Sequence, residues 1–372
     1  MLDLSIDISQ VDISIRNIVK KISTSKRISD SETLTLFNKA PNALLFSLAN
    51  AIREKQNGNN TFFNKNIHIE PTNICVFDCK FCAYSRKLSK KEEAWEFSQE
   101  EMIQQILDHE DSEITEVHIV GGVHPKMGLD YFVSLISEVK KIRPNIHVKA
   151  FTAVELEYMC RKAKVSYKEG LQILKDAGQG SLPGGGAEIF DKKTRDKICE
   201  DKCTSEEWLE MHETAHSIGM PSNATILYGH IETPEIIIDH LSRLRNLQDK
   251  TNGFNAFIPL KFRNGNNQMS DIKEGSIIND LRMFAFSRIY LDNFPHIKSY
   301  WPMIGKKTTQ NLLAFGVDDI DGTIHDTTKI YSMAGAEDQN PTMNSEEIIE
   351  LITSVGRKSV ERDTVYNIIK EY

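Results

Sequence analysis

TNICVFDCKFCAYSR (residues 72–86) sets Cys75, Cys79 and Cys82 in a C-x3-C-x2-C spacing, directly after the β-type run NIHIEP (66–71). Only Cys160, Cys199 and Cys203 remain in a chain of 372 residues. Clustered thiols in a cysteine-poor chain point to a metal more readily than to a disulfide. An iron–sulfur cluster of four irons normally takes four thiolates. A loop that supplies three leaves one iron open, and an open position on a metal is where a cofactor or substrate binds. Soft thiolates also disfavour hard ions such as magnesium. Two other readings stay open on the residues alone: a zinc knuckle, or three structural thiols. Zinc would want a fourth ligand close by, and the nearest downstream histidine, His109, lies on a helix-like stretch.

Outward from this loop, β-type runs alternate with amphipathic ones. After NIHIEP come TEVHIVGG (115–122), IHVKAFT (146–152), GSLPGGG (180–186), SNATILYG (222–229) and FNAFIPL (254–260). Between them lie QEEMIQQILDH (99–109), LDYFVSLISEVKKI (129–142), YKEGLQILKDA (167–177) and PEIIIDHLSRLRNLQ (234–248), apolar at helical spacing. Strand–helix alternation of this kind predicts an α/β fold with a parallel sheet wrapped by helices, and six units suit a TIM-like barrel, whole or partial. Each strand runs into a Gly-, Pro- or polar-rich patch. In such barrels chemistry gathers at the strand C-terminal ends.

The flanks read differently. TLTLFNKAPNALLFSLANAIREK (33–55) is helical in spacing, broken at Pro41, and QNGNN (56–60) ends it. Three segments are therefore expected: an N-terminal helical cap (1–64), the barrel (65–300) and an α-rich C-terminal extension (301–372). Within the last, GVDDIDGTIHDTTKIY (316–331) reads as an ordered loop with a strand or short helix. NSEEIIELITSVGRKSVERDTVYNIIKEY (344–372) reads as two helices, with Asn344 or Ser345 as N-cap.

Composition excludes several classes. A net charge of −8 and a pI near 5.8 give no basic footprint for nucleic acid. The start, MLDLSIDISQVDIS, carries Asp3, Asp7 and Asp12 where an export signal needs a basic start and an apolar run. No run approaches about 18 apolar residues, so no membrane span is expected. Mean hydropathy of −0.37 agrees with a soluble, cytoplasmic protein.

Two patterns are set aside. HETAH (212–216) satisfies H-E-x-x-H, the helical zinc-protease pattern. Its helix should cover the outside of the barrel, with His212 and His216 on the margin of an apolar stripe, so half-buried or surface histidines are the better reading. Cys199 and Cys203 sit in a polar connection, KICEDKC, and read as structural thiols.

C-x3-C-x-Phe-C resembles the signature of the radical S-adenosylmethionine (SAM) superfamily. The resemblance implies a (βα)6 partial TIM-like barrel, a [4Fe–4S] cluster on Cys75, Cys79 and Cys82, and SAM chelating the fourth iron. It places Phe81 near the adenine, and VGGVHP (120–125) as a glycine motif whose Gly121 and Gly122 backbone meets the SAM amino group. HIEPTNICVFDCKFCAYSR (68–86), HVKAFTAVE (147–155), SLPGGGAEIF (181–190), SNATILYGHIET (222–233), LDNFPHIKSYW (291–301) and DDIDGT (318–323) look like the subgroup acting in futalosine-dependent menaquinone synthesis and deazaflavin synthesis. HVKAFTAVELEYM (147–159) and SLPGGGAEIFDKKTRDKICEDK (181–202) most resemble the aminodeoxyfutalosine synthase family. The likeness runs from about residue 35 to at least 335.

That family is implied to add the SAM-derived 5′-deoxyadenosyl group to 3-[(1-carboxyvinyl)oxy]benzoate, with rearrangement and loss of a carboxyl, giving 6-amino-6-deoxyfutalosine. SAM is then a consumed co-substrate, and the enzyme a transferase. Flavodoxin or ferredoxin is the expected reductant. A sister enzyme (dehypoxanthine futalosine cyclase or a deazaflavin ring-forming synthase) is the alternative. A non-catalytic iron–sulfur carrier would saturate its cluster with four protein ligands and would need no barrel lumen.

A dianionic aromatic substrate needs cations or donors beside apolar walls. Ile67 and Ile69 alternate with His68 and Glu70, which puts the polar pair on one strand face. His68 is therefore expected in the substrate pocket. Glu188 and Asn223, at strand ends, are candidate partners for SAM hydroxyl or amino groups. Arg282 is a candidate for a substrate carboxylate; Arg288, six residues on, does not share its helix face. His296 and Lys298 are similar candidates.

Overall fold

The six β-type runs from 66 to 260 all become parallel strands. In a computed structural model, residues 2, 7–109, 113–325, 328–339 and 341–372 are described. Asp3, and Asp326 and Thr327 of the expected 316–331 loop, lie outside them. The strands are β1 Asn60–Phe63, β2 Asn66–Ile69, β3 Glu116–Ile119, β4 His147–Ala150, β5 Gln179–Ser181, β6 Ser222–Tyr228, β7 Phe254–Lys261, β8 His296–Ser299, β9 Asp319–Ile320, β10 Ile324–His325, β11 Thr342–Met343, β12 Lys358–Arg362 and β13 Ile368–Glu371. One parallel sheet runs β2-β3-β4-β5, and a second runs β6-β7-β8-β9 and on to β1, β12 and β13. They meet at two seams. Leu182 bridges Ser222 on one side. On the other, Thr323 bonds Asn64 and Asn66. The six expected units are thus followed by two more strands, β8 and β9, which carry the wall round to β2.

Period-two patterning sets the wall. Val117 and Ile119 of β3 are fully buried, as are Leu135, Ile136 and Val139 on the apolar face of the following helix Leu129–Ile142. Glu116 and His118, on the opposite face, point into the lumen. Register aligns His68, His118 and Lys149 across β2, β3 and β4 in one layer.

The N-terminal segment holds helices Ile13–Ser23, Asp30–Lys39 and Asn42–Asn57, the last two parted at Pro41 as expected. The residues after them form β1, which pairs with β9 and β12. Arg53 secures that turn, fully buried and donating to Gly58 O at 2.6 Å and Asn60 O at 2.5 Å.

One expectation at the C-terminus is overturned. Asn344 caps the helix Ser345–Thr353, but no second helix follows. β12 and β13 form an antiparallel hairpin, with β12 parallel to β1. The turn is made by Asp363, whose carboxylate accepts from the Val365 and Asn367 N–H groups, with Tyr366 at φ 67°. The hairpin closes the N-terminal mouth of the barrel. Arg362 donates to Asp319 at 2.6 Å and Thr364 Oγ1 to Glu116 at 2.7 Å.

Candidate active site

A cavity of about 270 Å³ opens at the C-terminal ends of the strands, lined by residues of β2, β3, β6 and β7 and of the segments that follow β2, β3, β4, β5 and β8. The cysteine loop leaves β2 and forms the roof. Its path is fixed by backbone bonds: Cys75 N–H to Arg86 O at 2.8 Å, Val76 N–H to Val123 O at 2.9 Å and Arg86 N–H to Asn73 O at 2.8 Å. Cys75, Cys79 and Cys82 all line the cavity as free thiols. Burial pushes the Cys75 and Cys79 thiols up, so near neutrality each keeps a proton that iron would displace.

No three His, Cys, Asp or Glu side chains among the described residues converge tightly enough for a single ion. A multi-iron cluster has no such requirement, because each thiolate takes a different iron. Three free thiols on one rigid loop, turned into a cavity, fit that group.

Gly121 and Gly122 follow β3 and pass against the loop. A Cβ on Gly122 would lie 2.3 Å from Ile74 O, and one on Gly121 2.8 Å from Thr72 O. Only glycine permits that approach. Their N–H groups are already used, Gly121 by Glu155 Oε1 at 3.2 Å and Gly122 by Thr72 O at 2.7 Å. Carbonyl oxygen is therefore what they can offer a ligand. Glu155 also closes the capping box of the helix Ala153–Ala163, accepting from the Thr152 backbone and hydroxyl at 2.7 Å. Burial pushes its carboxyl up to about 7, against these hydrogen bonds.

Glu188 stands beyond β5 with φ of 48°, a strained conformation for a residue bearing a side chain. It lines the cavity and pairs with Lys202, whose ammonium lies 5.3 Å from the Phe81 ring centroid. Burial works against the Lys202 charge, but the negative charges of Glu188 and, once ionised, of the Cys79 thiolate outweigh it and hold its pKa well above the usual range. Lys202 lay unnoticed in KICEDKC. No local pattern marks it; only the fold carries that connection back to the cysteine loop, through Lys80 N–H to Ile198 O and Asp78 N–H to Asp201.

The floor is the polar layer of the lumen. His68 lies 3.0 Å from Asn66 and 3.4 Å from Asp321, with the His118 ring edge-on at 4.7 Å. Lys298 holds Asp321 at 2.6 Å, and Lys149 holds Glu116 at 2.5 Å. Burial opposes both carboxylates, yet these lysines keep Glu116 and Asp321 well below the ordinary range. Above, residues 328–334 cover the mouth. Glu70 anchors them, accepting from the Thr328 hydroxyl at 2.8 Å and the Lys329 N–H at 3.1 Å.

The structure thus gathers His68, Phe81, Gly121, Gly122, Glu188 and the three cysteines around one cavity. Three candidates it places elsewhere. Arg282 sits on the outer helix Ile277–Tyr290 and clamps the N-terminal helices, donating to Phe37 O and Asn42 Oδ1 at 2.5 Å each. Asn223 shares the face of Thr225 and Leu227 on β6, but a layer deeper, outside the lining. Arg288 and His296 serve the fold, both bound to Asp318.

The H-E-x-x-H helix does lie outside the barrel. His212 is fully buried rather than marginal, its ring tilted against Trp208 with centroids 3.8 Å apart and bonded to Ser222 at 2.8 Å.

Comparison with known proteins agrees with this architecture. Residues 69–244 match the radical SAM superfamily and residues 251–371 the CofH/MqnC C-terminal region. Aminodeoxyfutalosine synthase of Thermus thermophilus is 41% identical over 95% of both chains. The 5-amino-6-(D-ribitylamino)uracil–L-tyrosine 4-hydroxyphenyl transferase of Archaeoglobus fulgidus is 37% identical, over 87% of this chain and 93% of that one. In fold the chain is similar to the FeFe-hydrogenase maturase HydG of Carboxydothermus hydrogenoformans, at TM-score 0.74 and 17% identity, covering 95% and 80% of the two chains. Among the described residues no helix is long and apolar enough to cross a membrane. The chain belongs to the radical SAM superfamily, in the group that joins this domain to a CofH/MqnC C-terminal region, and is an enzyme working with a [4Fe–4S] cluster and SAM.

Proposed function

We propose that the chain catalyses the aminodeoxyfutalosine synthase reaction: transfer of the adenosyl group of SAM to 3-[(1-carboxyvinyl)oxy]benzoate, with rearrangement and loss of one carboxyl, giving 6-amino-6-deoxyfutalosine. The observation that carries this reading is the 41% identity to the Thermus synthase across 95% of both chains. The bound cluster and SAM supply the 5′-deoxyadenosyl radical. The rest of the task falls to this chain's residues.

Cys75, Cys79 and Cys82 hold the cluster at the roof. Lys202 and Glu188 face the anionic and hydroxyl or amino groups of SAM, with Phe81 beneath the Lys202 ammonium. Gly121 and Gly122 present carbonyls to the amino group, their positions fixed by Glu155 and Thr72. Leu227, Ile258 and Leu260 give an apolar wall for an aromatic ring. His68, steadied by Asp321 and Asn66, offers imidazole at the floor. The 328–334 segment, pinned by Glu70, excludes water from a reactive intermediate.

A flavodoxin or ferredoxin is the reductant in this reading. A reducing, cytoplasmic setting suits six cysteines that are all free thiols. The test is anaerobic turnover of the reconstituted enzyme with SAM, reductant and the benzoate substrate, read by mass spectrometry. A product that carries adenosine and lacks one carboxyl is expected. Untouched substrate beside free 5′-deoxyadenosine would move the assignment to a sister enzyme.

A further inference from the structure

The lumen layer formed by His68, His118 and Lys149 contains one group with nothing to do. Lys149 is bound to Glu116, Lys298 to Asp321, and His68 lies against Asn66 and Asp321. His118 Nε2 is buried and meets no hydrogen-bond partner among the described residues, while its ring lines the cavity. A buried polar nitrogen left unpaired is costly, and native folds rarely keep one without a use.

We propose that His118, beside its edge-on neighbour His68, is the seat for the aryl carboxylate of the substrate at the cavity floor. The inference rests on the reaction proposed above, and the geometry of that substrate orients it. Its enol-ether carbon must meet the adenosyl group, which lies at the roof with the cysteines. The ring carboxylate is the far end of the molecule and so reaches the floor.

The charges on the floor fit this occupant. Lys149 and Lys298 are balanced by Glu116 and Asp321, so the layer carries no net negative charge to repel an anion. The charged and titratable groups facing His118 are Lys149, His68, Glu116 and Asp321. Burial, Lys149 and His68 hold the His118 pKa well below its usual range, leaving a neutral ring at pH 7. A neutral imidazole with a free Nε2 carries one N–H for a carboxylate oxygen. A hydrogen bond to an ionised acceptor in a site shielded from water is a strong discriminator. A neutral amide in the same place can accept that N–H through its carbonyl, but without the charge that strengthens the bond.

The test compares 3-propoxybenzoate with 3-propoxybenzamide, two unreactive probes, on cluster-loaded protein with SAM bound. Dissociation constants are read by ligand-observed NMR. The wild type should prefer the acid by on the order of tenfold. His118→Ala should lose most of that preference, while His118→Gln, which keeps an N–H donor, should retain part of it. Iron content and SAM affinity should stay at wild-type level in both. An unchanged preference for the acid in His118→Ala would overturn the seat, as would absence of any preference in the wild type. The reaction itself is judged separately, by the products of the wild-type enzyme. A protein that makes no adenosine adduct yet loses its acid preference with His118 keeps the seat and loses the reaction.

Discussion

Cys79 is the most enclosed of the three cluster cysteines, at 7% exposure, and its backbone carbonyl also accepts the Cys82 N–H. Among the described residues its side chain makes no hydrogen bond that alanine would break. Cys79→Ala should therefore give a folded protein without a stable cluster and without turnover. Iron and sulfide content, together with far-UV circular dichroism, check this; full activity in the variant would contradict the ligand assignment. The cysteines were legible because their geometry is local, three thiols in eight residues. Lys202, Asp321 and His118 were not, because their roles arise from neighbours brought in by the fold from far along the chain, such as Phe81 for Lys202 and His68 for His118 and Asp321. Arg282 misled for the opposite reason. An arginine in an aromatic-rich stretch looks equally suited to a ligand or to carbonyls of a neighbouring helix, and here it caps Phe37.

The helix Ala153–Ala163 shows how an ordinary capping box is put to further use. Its Glu155 satisfies the helix N-terminus and also holds Gly121 in place. With a folded pKa raised to about 7 from 4.5, this carboxyl keeps its proton in the native state after the unfolded chain has released it. Its contribution to stability is thus whole below about 4.5 and is lost as pH rises through about 7. Urea titrations of wild type and Glu155→Gln across that range should show the wild-type advantage shrinking with rising pH; a constant difference would contradict the assignment.

The turn after β3 admits no side chain. Gly122→Ala should cost about 1–3 kcal/mol through the clash with Ile74 O, and should lower cluster loading because Ile74 abuts Cys75. Denaturant midpoints and iron content measure both effects. Strands β2 to β7 were readable from β-type runs that end in Gly-, Pro- or polar-rich patches. The last 15 residues were not, since SVER and VYNIIKEY fit either period until β1 offers Lys358–Arg362 a parallel partner.

At the scale of the whole molecule, the barrel is closed by segments from both ends of the chain. β1 and β12 extend the sheet, and the Arg362–Asp319 pair seals the N-terminal mouth below the polar floor. Arg362→Met would strand a buried carboxylate, at a cost of about 3–5 kcal/mol. The melting temperature should fall accordingly, with the cluster signature retained in the fraction that stays folded. The cavity lies at the other mouth, so stability and chemistry occupy opposite ends of one lumen. In the reaction proposed here SAM is consumed into the product. This is tested most directly by the ratio of free 5′-deoxyadenosine to methionine released during turnover with 3-[(1-carboxyvinyl)oxy]benzoate. A ratio near zero, with methionine rising in step with adduct, is the expected result; one 5′-deoxyadenosine for every methionine would contradict it.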